Sequence, residues 1–213
     1  MSYNLFRPTT YHITHIRNLP NIIKDGGLWC DRIVSERDLA HVNIAHQHIK
    51  DRRARKIVPI PPDGVVADYV PFYFAPRSPM LFSIYKGNVA GYQGGQSDVL
   101  HLVTSADAIL QSGLPFVFTD GHAEMDISHY YQDLRDLNKI DWEVMSSKYW
   151  KDTNEDGDRK RRRQAEFLVR EFFPFSLFGK IGTYNQTIAR QVLALLSKTE
   201  PRPVVQAEPA WYY

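Results

Sequence analysis

A cationic run that leads straight into an apolar strand is the feature that most constrains this chain. Five Lys and Arg residues at 159–163 are followed by Gln164, Ala165, Glu166 and the apolar residues 167–169. The apolar residues predict a strand that needs a buried face, whereas the cations need water or an anionic partner. A carboxylate beside such a cluster indicates an enzyme that acts on nucleic acid.

The composition is that of an ordinary globular chain. Its 213 residues are 43% hydrophobic and 23% charged, which suffices for one filled core. The formal net charge of +2 is only mildly basic, so affinity for nucleic acid must come from the clusters at 50–56 and 159–163. We expect a single domain over residues 1–213, with a core at about 9–198 and a Pro-containing tail at 199–213.

The cysteine content and the N-terminal residues indicate the cellular compartment. A single cysteine, Cys30, excludes an internal disulfide and a CxxC zinc pattern, and fits a reducing compartment. Residues 1–8 lack the apolar centre of a signal peptide, and no stretch approaches the roughly 20 apolar residues that a membrane helix needs. We therefore expect a cytoplasmic protein that needs no metal and contacts no membrane.

The local pattern predicts short strands alternating with short helices. Aromatic and β-branched residues predict strands at 11–15, 68–74, 99–103, 115–118 and 166–169. Helices are predicted at 19–25, 80–85, 106–111 and 188–197, and residues 41–55 form either a helix or an ordered loop. Pro71 would place its strand at an edge or a bulge. Residues 126–163 carry no sustained periodicity beyond a helix near 128–137, which is typical of a functional or disordered loop.

Two pairs of polar residues occupy alternate positions in the predicted strands. Alternation puts Gln164 and Glu166 on one face of the late strand, and His12 and Thr14 on one face of the first. The alternative for the late pair is a strand end that faces solvent. The alternative for His12 is a core histidine whose hydrogen bonds are satisfied.

Four stretches of the chain resemble a known family. They are YHITHIRNLPNII at 11–23, IKDRRARKIVP at 49–59, DYVPFYFAPRSPML at 68–81 and RRQAEFLVREFFPF at 162–175. They resemble the ADP-ribosyltransferases, and within them the DarT-type toxins that modify DNA bases. The resemblance implies an α+β fold with a split mixed sheet, flanking helices and a long loop before the catalytic strand. Two small sheets would clamp NAD+ in a bent conformation.

The resemblance implies which residues bind NAD+, the expected co-substrate. His12 and Thr14 match residues that hold the adenosine ribose and the nicotinamide side. The wall of the nicotinamide pocket would consist of Phe74, Arg77, Ser78 and Met80. Gly27 would let the backbone approach the cofactor closely, with a simple helix stop as the alternative.

The catalytic residues are implied in the same way. Glu166 matches the family's catalytic glutamate, and Gln164 matches a Q-x-E variant typical of targets other than arginine. Arg53 matches an arginine that contacts the pyrophosphate and assists deprotonation of the base, with Arg52 as the alternative one position away. His122 matches a histidine near the target base.

The expected chemistry suits these residue types. Cleavage of the nicotinamide–ribose bond develops positive charge on the ribose, as in glycoside hydrolysis. A carboxylate stabilises that charge directly and by accepting a hydrogen bond from the ribose 2′-hydroxyl. A guanidinium binds two diphosphate oxygens at once and keeps its charge at any working pH.

The segment before Glu166 is expected to bind single-stranded DNA. Cations that would contact phosphates are interleaved there with rings that would stack on unpaired bases. The expected DNA-binding residues are Arg52, Lys148, Tyr149, Trp150, Arg161, Arg162 and Arg163. Residues 161–163 are expected to act redundantly. The alternative for the aromatic residues is that they pin the segment to the core.

The resemblance thus implies a toxin that transfers ADP-ribose from NAD+ to a base in single-stranded DNA and releases nicotinamide. Thymine is expected as the acceptor in preference to guanine. The partner would be an antitoxin with an ADP-ribose-removing macrodomain. Two alternatives stay open: a non-catalytic nucleic-acid-binding domain, and an ADP-ribosyltransferase that acts on RNA or protein.

Overall fold

The computed structural model describes residues 8–213, so most of the N-terminal segment interpreted above lies outside the described residues. The strands are β1 (Thr9–His15), β2 (Gly27–Trp29), β3 (Tyr69–Tyr73), β4 (Val99–Ser105), β5 (Phe116–Thr119), β6 (Tyr130–Tyr131), β7 (Glu166–Arg170), β8 (Phe172–Pro174), β9 (Lys180–Thr183) and β10 (Val204–Ala207). The α-helices are α1 (Leu19–Lys24), α2 (Asp31–Glu36), α3 (Gln47–Arg53), α4 (Pro79–Tyr85), α5 (Ala106–Gln111), α6 (Trp142–Ser146), α7 (Arg159–Arg162) and α8 (Gln186–Leu195).

Eight strands form one mixed sheet in the order β10-β9-β4-β1-β3-β7-β5-β6, and β2 pairs with β8 in a second, two-stranded sheet. The large sheet is antiparallel except for the parallel pair of β9 and β10. Buried aromatic residues from β3, β5 and β7, including Phe72, Phe118 and Phe167, form the centre of the main core. The predicted α+β arrangement of a mixed sheet with flanking helices is therefore present.

The sheet opens between β1 and β3. β1 pairs with β4 along its whole length, whereas its pairing with β3 is limited to Tyr11 and Tyr73. Beyond that point the ring of His12 reaches across, and its Nδ1 lies 2.8 Å from the carbonyl oxygen of Pro71. The prediction that Pro71 lies at an edge is wrong, since β3 is an interior strand. The proline fits because β1 has diverged there and makes no ladder with it.

Most of the predicted elements are confirmed, but the segment at 126–163 differs. The helix predicted near 128–137 is wrong: β6 and a 3-10 helix at Leu134–Lys139 occupy that region. Salt bridges order the segment, because Arg162 pairs with Asp141 and Asp156. The partners are 21 and 6 positions from Arg162 and follow no helix or strand repeat, so local periodicity does not reveal them.

Residues 199–213 are part of the fold and not a peripheral tail. β10 adds a strand to the edge of the large sheet, and the Tyr212 hydroxyl donates to the carbonyl oxygen of Val99 at 2.7 Å. The buried ring of His101 in β4 packs edge-on against Tyr212, at a centroid distance of 4.9 Å. The core therefore extends past residue 198, where the sequence interpretation ended it.

Among residues 8–213, the helices are all too short or too polar to cross a bilayer.

Gly27 offers a test of how closely β2 packs on β8. Gly26, with φ of +75°, ends α1, whereas Gly27 pairs with Pro174 in the ladder. A Cβ at position 27 would overlap the backbone oxygen of Phe173. We expect Gly27→Ala to lower the free energy of unfolding by about 1–3 kcal/mol through overpacking, measured by urea denaturation. Gly157→Ala, where a Cβ meets open space, is the matched control and leaves stability nearly unchanged.

The burial of His101 predicts a pH dependence of stability. Burial lowers the pKa of His101 from 6.5 to about 4, although its hydrogen bond to the carbonyl oxygen of Pro76 opposes the shift. As pH falls from 6.5 to 4, the unfolded chain takes up a proton that the folded chain resists, so stability is lost on acidification. Over that pH range we expect the free energy of unfolding of His101→Gln to fall by about 3 kcal/mol less than that of the parent chain, measured by denaturation at each pH. Equal pH profiles for the two proteins would contradict this.

Candidate active site

Glu166 lies at the start of β7 and is only 2% exposed. Its Oε2 accepts a hydrogen bond from Arg53 Nη1 at 2.7 Å, and its Oε1 accepts one from the backbone N–H of Ala123 at 3.2 Å. Its own N–H donates to the hydroxyl of Thr119. Two donors thus fix the carboxylate and a third contact fixes its backbone, so the alternative of a solvent-facing strand end is wrong for Glu166.

Arg53 is the last residue of α3 and is buried beside this carboxylate. Burial acts to lower its pKa, but the charge and the hydrogen bond of Glu166 outweigh burial, so the pKa of Arg53 is raised. Within residues 8–213 its Nη2 is buried and has no hydrogen-bond partner. Arg52 is half exposed and donates to Glu124 at 2.6 Å. It is therefore Arg53, and not Arg52, that meets Glu166.

The pair lies in a cleft that begins where the sheet opens. This inner cleft is formed by two adjoining cavities of about 160 and 130 Å³. Its principal polar and aromatic lining residues are His12, Thr14, Asn18, Trp29, Asp31, His41, Arg53, Tyr73, His122 and Glu166. Gly27 also lines the part of the inner cleft next to α1.

His12 presents one defined ring nitrogen to the inner cleft. Burial lowers its pKa, although the hydrogen bond to the carbonyl oxygen of Pro71 opposes this, so the ring is neutral at pH 7. Because a carbonyl oxygen only accepts, the proton lies on Nδ1 and Nε2 is the acceptor. The pair of His12 and Thr14 therefore lines the cleft from one strand face, as the alternation predicts.

Asn18 is a functional candidate that the sequence interpretation missed. Its Nδ2 donates to the Thr14 hydroxyl at 3.1 Å and to the carbonyl oxygen of Val42 at 3.0 Å, and its Oδ1 accepts from the N–H of Val42 at 2.6 Å. Asn21 adds a hydrogen bond to the carbonyl oxygen of Ala40. The two asparagines hold the loop before α3 over the inner cleft. Their spacing at the start of α1 was the available signal.

Tyr73 is a second residue that the sequence interpretation missed. It is the direct cross-strand partner of Glu166, so the two side chains share a face of the sheet. Burial and the nearby Glu166 raise the pKa of Tyr73, so its phenol is protonated at neutral pH. The alternation of Phe72, Tyr73 and Phe74 predicts that the tyrosine opposes the core-facing phenylalanines, which is the signal that would have found it.

His122 lines the inner cleft near Glu166. Burial lowers its pKa, although the carboxylate of Glu166 opposes the shift, so the ring is neutral at pH 7. Its Nδ1 accepts a 3.4 Å hydrogen bond from the N–H of Glu124, which leaves the proton on Nε2. His122 therefore offers a hydrogen-bond donor beside Glu166.

The residues expected to wall the nicotinamide pocket do not lie together. Met80 lines the inner cleft. Phe74 is instead buried against Phe118, Phe167 and Trp142. For this residue the structure corrects the expectation, because its side chain supports the wall from behind.

Ser78 and Arg77 also depart from that expectation. The Ser78 hydroxyl caps α4 by accepting from the N–H of Leu81 at 3.1 Å. Arg77 stacks its guanidinium over the ring of Tyr213, at 4.4 Å from the centroid. Both residues lie within three positions of Met80 in sequence, but their side chains make contacts outside the cleft.

Gln164 differs from the prediction because β7 begins only at Glu166. Gln164 lies in the turn after α7, and its Nε2 donates to the carbonyl oxygen of Lys160 at 3.0 Å. It lines an outer cavity of about 640 Å³ that opens beside the inner cleft. Tyr73, Met80 and His122 line both the inner cleft and the outer cavity. Remaining polar residues of the outer cavity are His46, His48, Ser83, Asn88, Lys151, Asp152 and Lys160.

The cationic run is mostly engaged in internal contacts. Arg161 pairs with Asp120 and Asp158, and the guanidinium of Arg162 pairs with Asp141 and Asp156. These salt bridges already use the charges that were expected to contact phosphates.

Arg163 and Trp150 are buried parts of the fold. Arg163 donates to the carbonyl oxygens of Val144 and Met145 at 2.6 Å, so the expected redundancy of residues 161–163 is wrong for it. Trp150 is 7% exposed and donates to the hydroxyl of Tyr213, which corrects its assignment as a stacking surface. Tyr149, by contrast, is 77% exposed.

Over residues 8–213, no group of three or more His, Cys, Asp or Glu side chains is placed to hold a metal ion.

Comparison with known proteins identifies the family. The family described as "DarT: ssDNA thymidine ADP-ribosyltransferase, DarT" matches residues 11–213. The chain belongs to the DarT family. A curated DNA ADP-ribosyl transferase from Thermus sp. (strain 2.9) is 44% identical over 205 residues, covering 95% of each chain. The predicted family and the classification as an ADP-ribosyltransferase are confirmed.

Solved structures of the Thermus sp. 2.9 DarT share the fold. Its complex with ADP-ribosylated ssDNA superposes with a TM-score of 0.90 at 43% identity, covering 97% of this chain and 96% of that one. Its complex with NAD+ gives a TM-score of 0.84 at 41% identity, covering 97% and 98%. The α+β ADP-ribosyltransferase fold is thereby confirmed.

A more distant relative carries a second activity. A DNA ADP-ribosyl transferase-DNA ADP-ribosyl glycohydrolase fusion protein from Thermosipho africanus (strain H17ap60334) is 27% identical over 164 residues. The match covers 75% of this chain and 38% of the fusion protein.

The buried ion pair predicts non-additive effects on stability. We expect Arg53→Leu and Glu166→Leu each to lower the free energy of unfolding by about 3–5 kcal/mol, because each leaves an unpaired buried charge. The double variant should lose less than the sum, measured by urea denaturation. Arg52→Leu is the control and should cost less than about 1 kcal/mol, since Arg52 is half exposed. Additive losses would show that the two charges do not interact.

Proposed function

We propose that this chain transfers ADP-ribose from NAD+ to a thymine base of single-stranded DNA and releases nicotinamide. The observation that carries the proposal is the buried pair of Glu166 and Arg53 in a cleft that adjoins a second cavity. A reaction with two substrates needs two adjoining sites that meet at the reacting carbon. The family description and the NAD+ and DNA complexes of the Thermus sp. 2.9 relative support the same reaction.

NAD+ binds in the inner cleft. The unpartnered Nη2 of Arg53 binds a diphosphate oxygen, because a buried guanidinium N–H needs an acceptor. The Nε2 of His12 accepts a hydrogen bond from a ribose hydroxyl, and Thr14, held by Asn18, supplies a second polar contact. Gly27 lies where α1 meets this cleft, so its backbone forms part of the wall beside the cofactor.

Glu166 acts on the ribose carbon. As the nicotinamide–ribose bond breaks, the bonding electrons leave with nicotinamide and positive charge develops on the ribose. The carboxylate is pre-oriented by Arg53 and Ala123, so it stabilises this charge without reorganising. Met80 packs beside the reacting end of the cleft.

The acceptor base enters the outer cavity. His122 donates from Nε2 to a base carbonyl oxygen, and Gln164 lies within the same cavity to contact the base edge. The base nitrogen attacks the ribose carbon, and its proton passes to water in the outer cavity. Arg53 stays protonated because its pKa is raised, so it assists by stabilising the developing negative charge on the base and not as the base catalyst. A base must be unstacked to reach this position, which favours single strands.

We also propose that the chain is the toxin of a toxin–antitoxin pair that acts in the cytoplasm. Its partner would be an antitoxin with a macrodomain that removes ADP-ribose. The Thermosipho africanus fusion protein, which joins a transferase to a glycohydrolase, supports the pairing of these two activities.

The acceptor is tested by incubating the protein with labelled NAD+ and separate pools of single-stranded DNA, RNA and protein. Label in DNA supports the proposal, and label in RNA or protein alone contradicts it. Mass spectrometry of modified oligonucleotides that contain a single thymine or a single guanine then decides the base.

The role of Glu166 is tested by Glu166→Gln, which keeps the shape of the side chain and removes its charge. We expect transfer to fall by about a hundredfold or more, because an uncharged amide does not stabilise the ribose cation. Binding of single-stranded DNA should persist, measured by fluorescence anisotropy. Gln164→Ala, two residues earlier, is the matched control. It should retain most of the ADP-ribose transfer and change the preference for the acceptor base. Full transfer activity in Glu166→Gln would refute the assignment.

A further inference from the structure

A groove beside the outer cavity is not used by the proposed reaction. It has a volume of about 680 Å³ and is called the basic groove here. Its lining includes Arg77, Lys86, Lys148, Tyr149, Arg159 and Tyr213. The groove therefore brings together α4, the loop after α6, the start of α7 and residue 213.

The basic groove is continuous with the outer cavity. Phe82, Trp150, Lys151 and Asp152 line both of them. Phe82 and Trp150 pack edge to face at a centroid distance of 5.7 Å and form the shared wall. A polymer whose reacting unit occupies the outer cavity thus has a path past this wall into the groove.

The charges of the basic groove differ from those of the cationic run. Within residues 8–213, Lys86, Lys148 and Arg159 form salt bridges with no carboxylate, whereas Arg161 and Arg162 each pair with at least two. Lys86 and Lys148 instead lie over aromatic rings, with Lys148 Nζ at 5.7 Å from the ring centroid of Tyr149. Their charges remain available to an anionic ligand.

The groove is built on fixed contacts. The Tyr213 hydroxyl donates to the carbonyl oxygen of Arg77 at 2.9 Å and accepts from Trp150 Nε1 at 3.0 Å. Arg159 Nη2 donates to the carbonyl oxygen of Tyr149 at 3.0 Å, which anchors the backbone of that residue. The ring of Tyr149 nevertheless stays 77% exposed. An exposed ring on an anchored backbone beside Lys148 is suited to stack on an unpaired base.

We propose that the basic groove binds the stretch of single-stranded DNA next to the modified nucleotide. Lys86 and Lys148 contact its phosphates, and Tyr149 stacks on one of its bases. The inference rests on the proposed function and adds to it a second subsite that sets how much flanking strand the protein recognises. Because the groove leaves the outer cavity on one side, it serves the strand on one side of the target base only.

The test compares a short acceptor oligonucleotide with the same acceptor extended at its 5′ end or at its 3′ end. The variant is Lys86→Glu with Lys148→Glu, and the matched control is Arg190→Glu with Lys198→Glu, two exposed cations in and just beyond α8. KM for each oligonucleotide is measured by transfer, and affinity is measured by anisotropy without NAD+. Melting temperatures of all variants are compared to establish that they fold.

The groove variant should raise KM about tenfold for one of the two extended oligonucleotides and leave KM for the short one and for NAD+ unchanged. Its affinity for that oligonucleotide should also depend less steeply on salt, since fewer phosphates are neutralised. Tyr149→Ala should raise the same KM, whereas Tyr149→Phe, which keeps the ring, should have the KM of the parent chain. The control variant should behave like the parent chain.

Two results would overturn the inference. One is an equal rise in KM for short and extended oligonucleotides, which would show that the groove variant disturbs the acceptor site itself. The other is unchanged affinity of the groove variant for both extended oligonucleotides. If the parent chain modifies no oligonucleotide, the proposed function fails, and the anisotropy measurements still decide whether the groove binds the flanking strand.

Discussion

The ion pair between Arg53 and Glu166 is the interaction on which the site depends. It joins the end of α3 to the first residue of β7, which are 113 positions apart in sequence. Neither charge is stable in this buried position alone, because desolvation of an unpaired ion costs several kcal/mol. Pairing offsets that cost and sets both groups in one orientation. The Nη2 group of Arg53 still has no hydrogen-bond partner among the described residues, so it can bind a ligand while Nη1 pairs with Glu166.

The opening of the sheet gives this pair access to a ligand. Where β1 leaves β3, the ring of His12 takes over the contact with Pro71, and the space between the strands becomes the inner cleft. The outer cavity and the basic groove continue from it. The cations fall into two groups. Arg161 and Arg162 pair with carboxylates and order the loop before β7, whereas Lys86 and Lys148 in the groove form no salt bridge among the described residues.

Elements whose stability is mainly local were predicted well from sequence. β4, α5 and β7 follow from their own residues, since apolar runs and helix caps such as Ser105 act within a few positions. The segment at 126–163 and β10 were not predicted. Their order comes from salt bridges, from the burial of Trp150 and from pairing with β9, and these contacts join distant parts of the chain.

The sequence by itself determined the family and the residue types of the site: a histidine and a threonine on one strand, a glutamate at the start of another, and an arginine near 53. Only the tertiary structure decided which arginine meets the glutamate, because adjacent helix residues point about 100° apart and burial selects one of them. It also decided that Gln164 precedes its strand and that Arg163 and Trp150 are buried. Residue type sets what a side chain can do, whereas the packing of distant segments sets what it can reach.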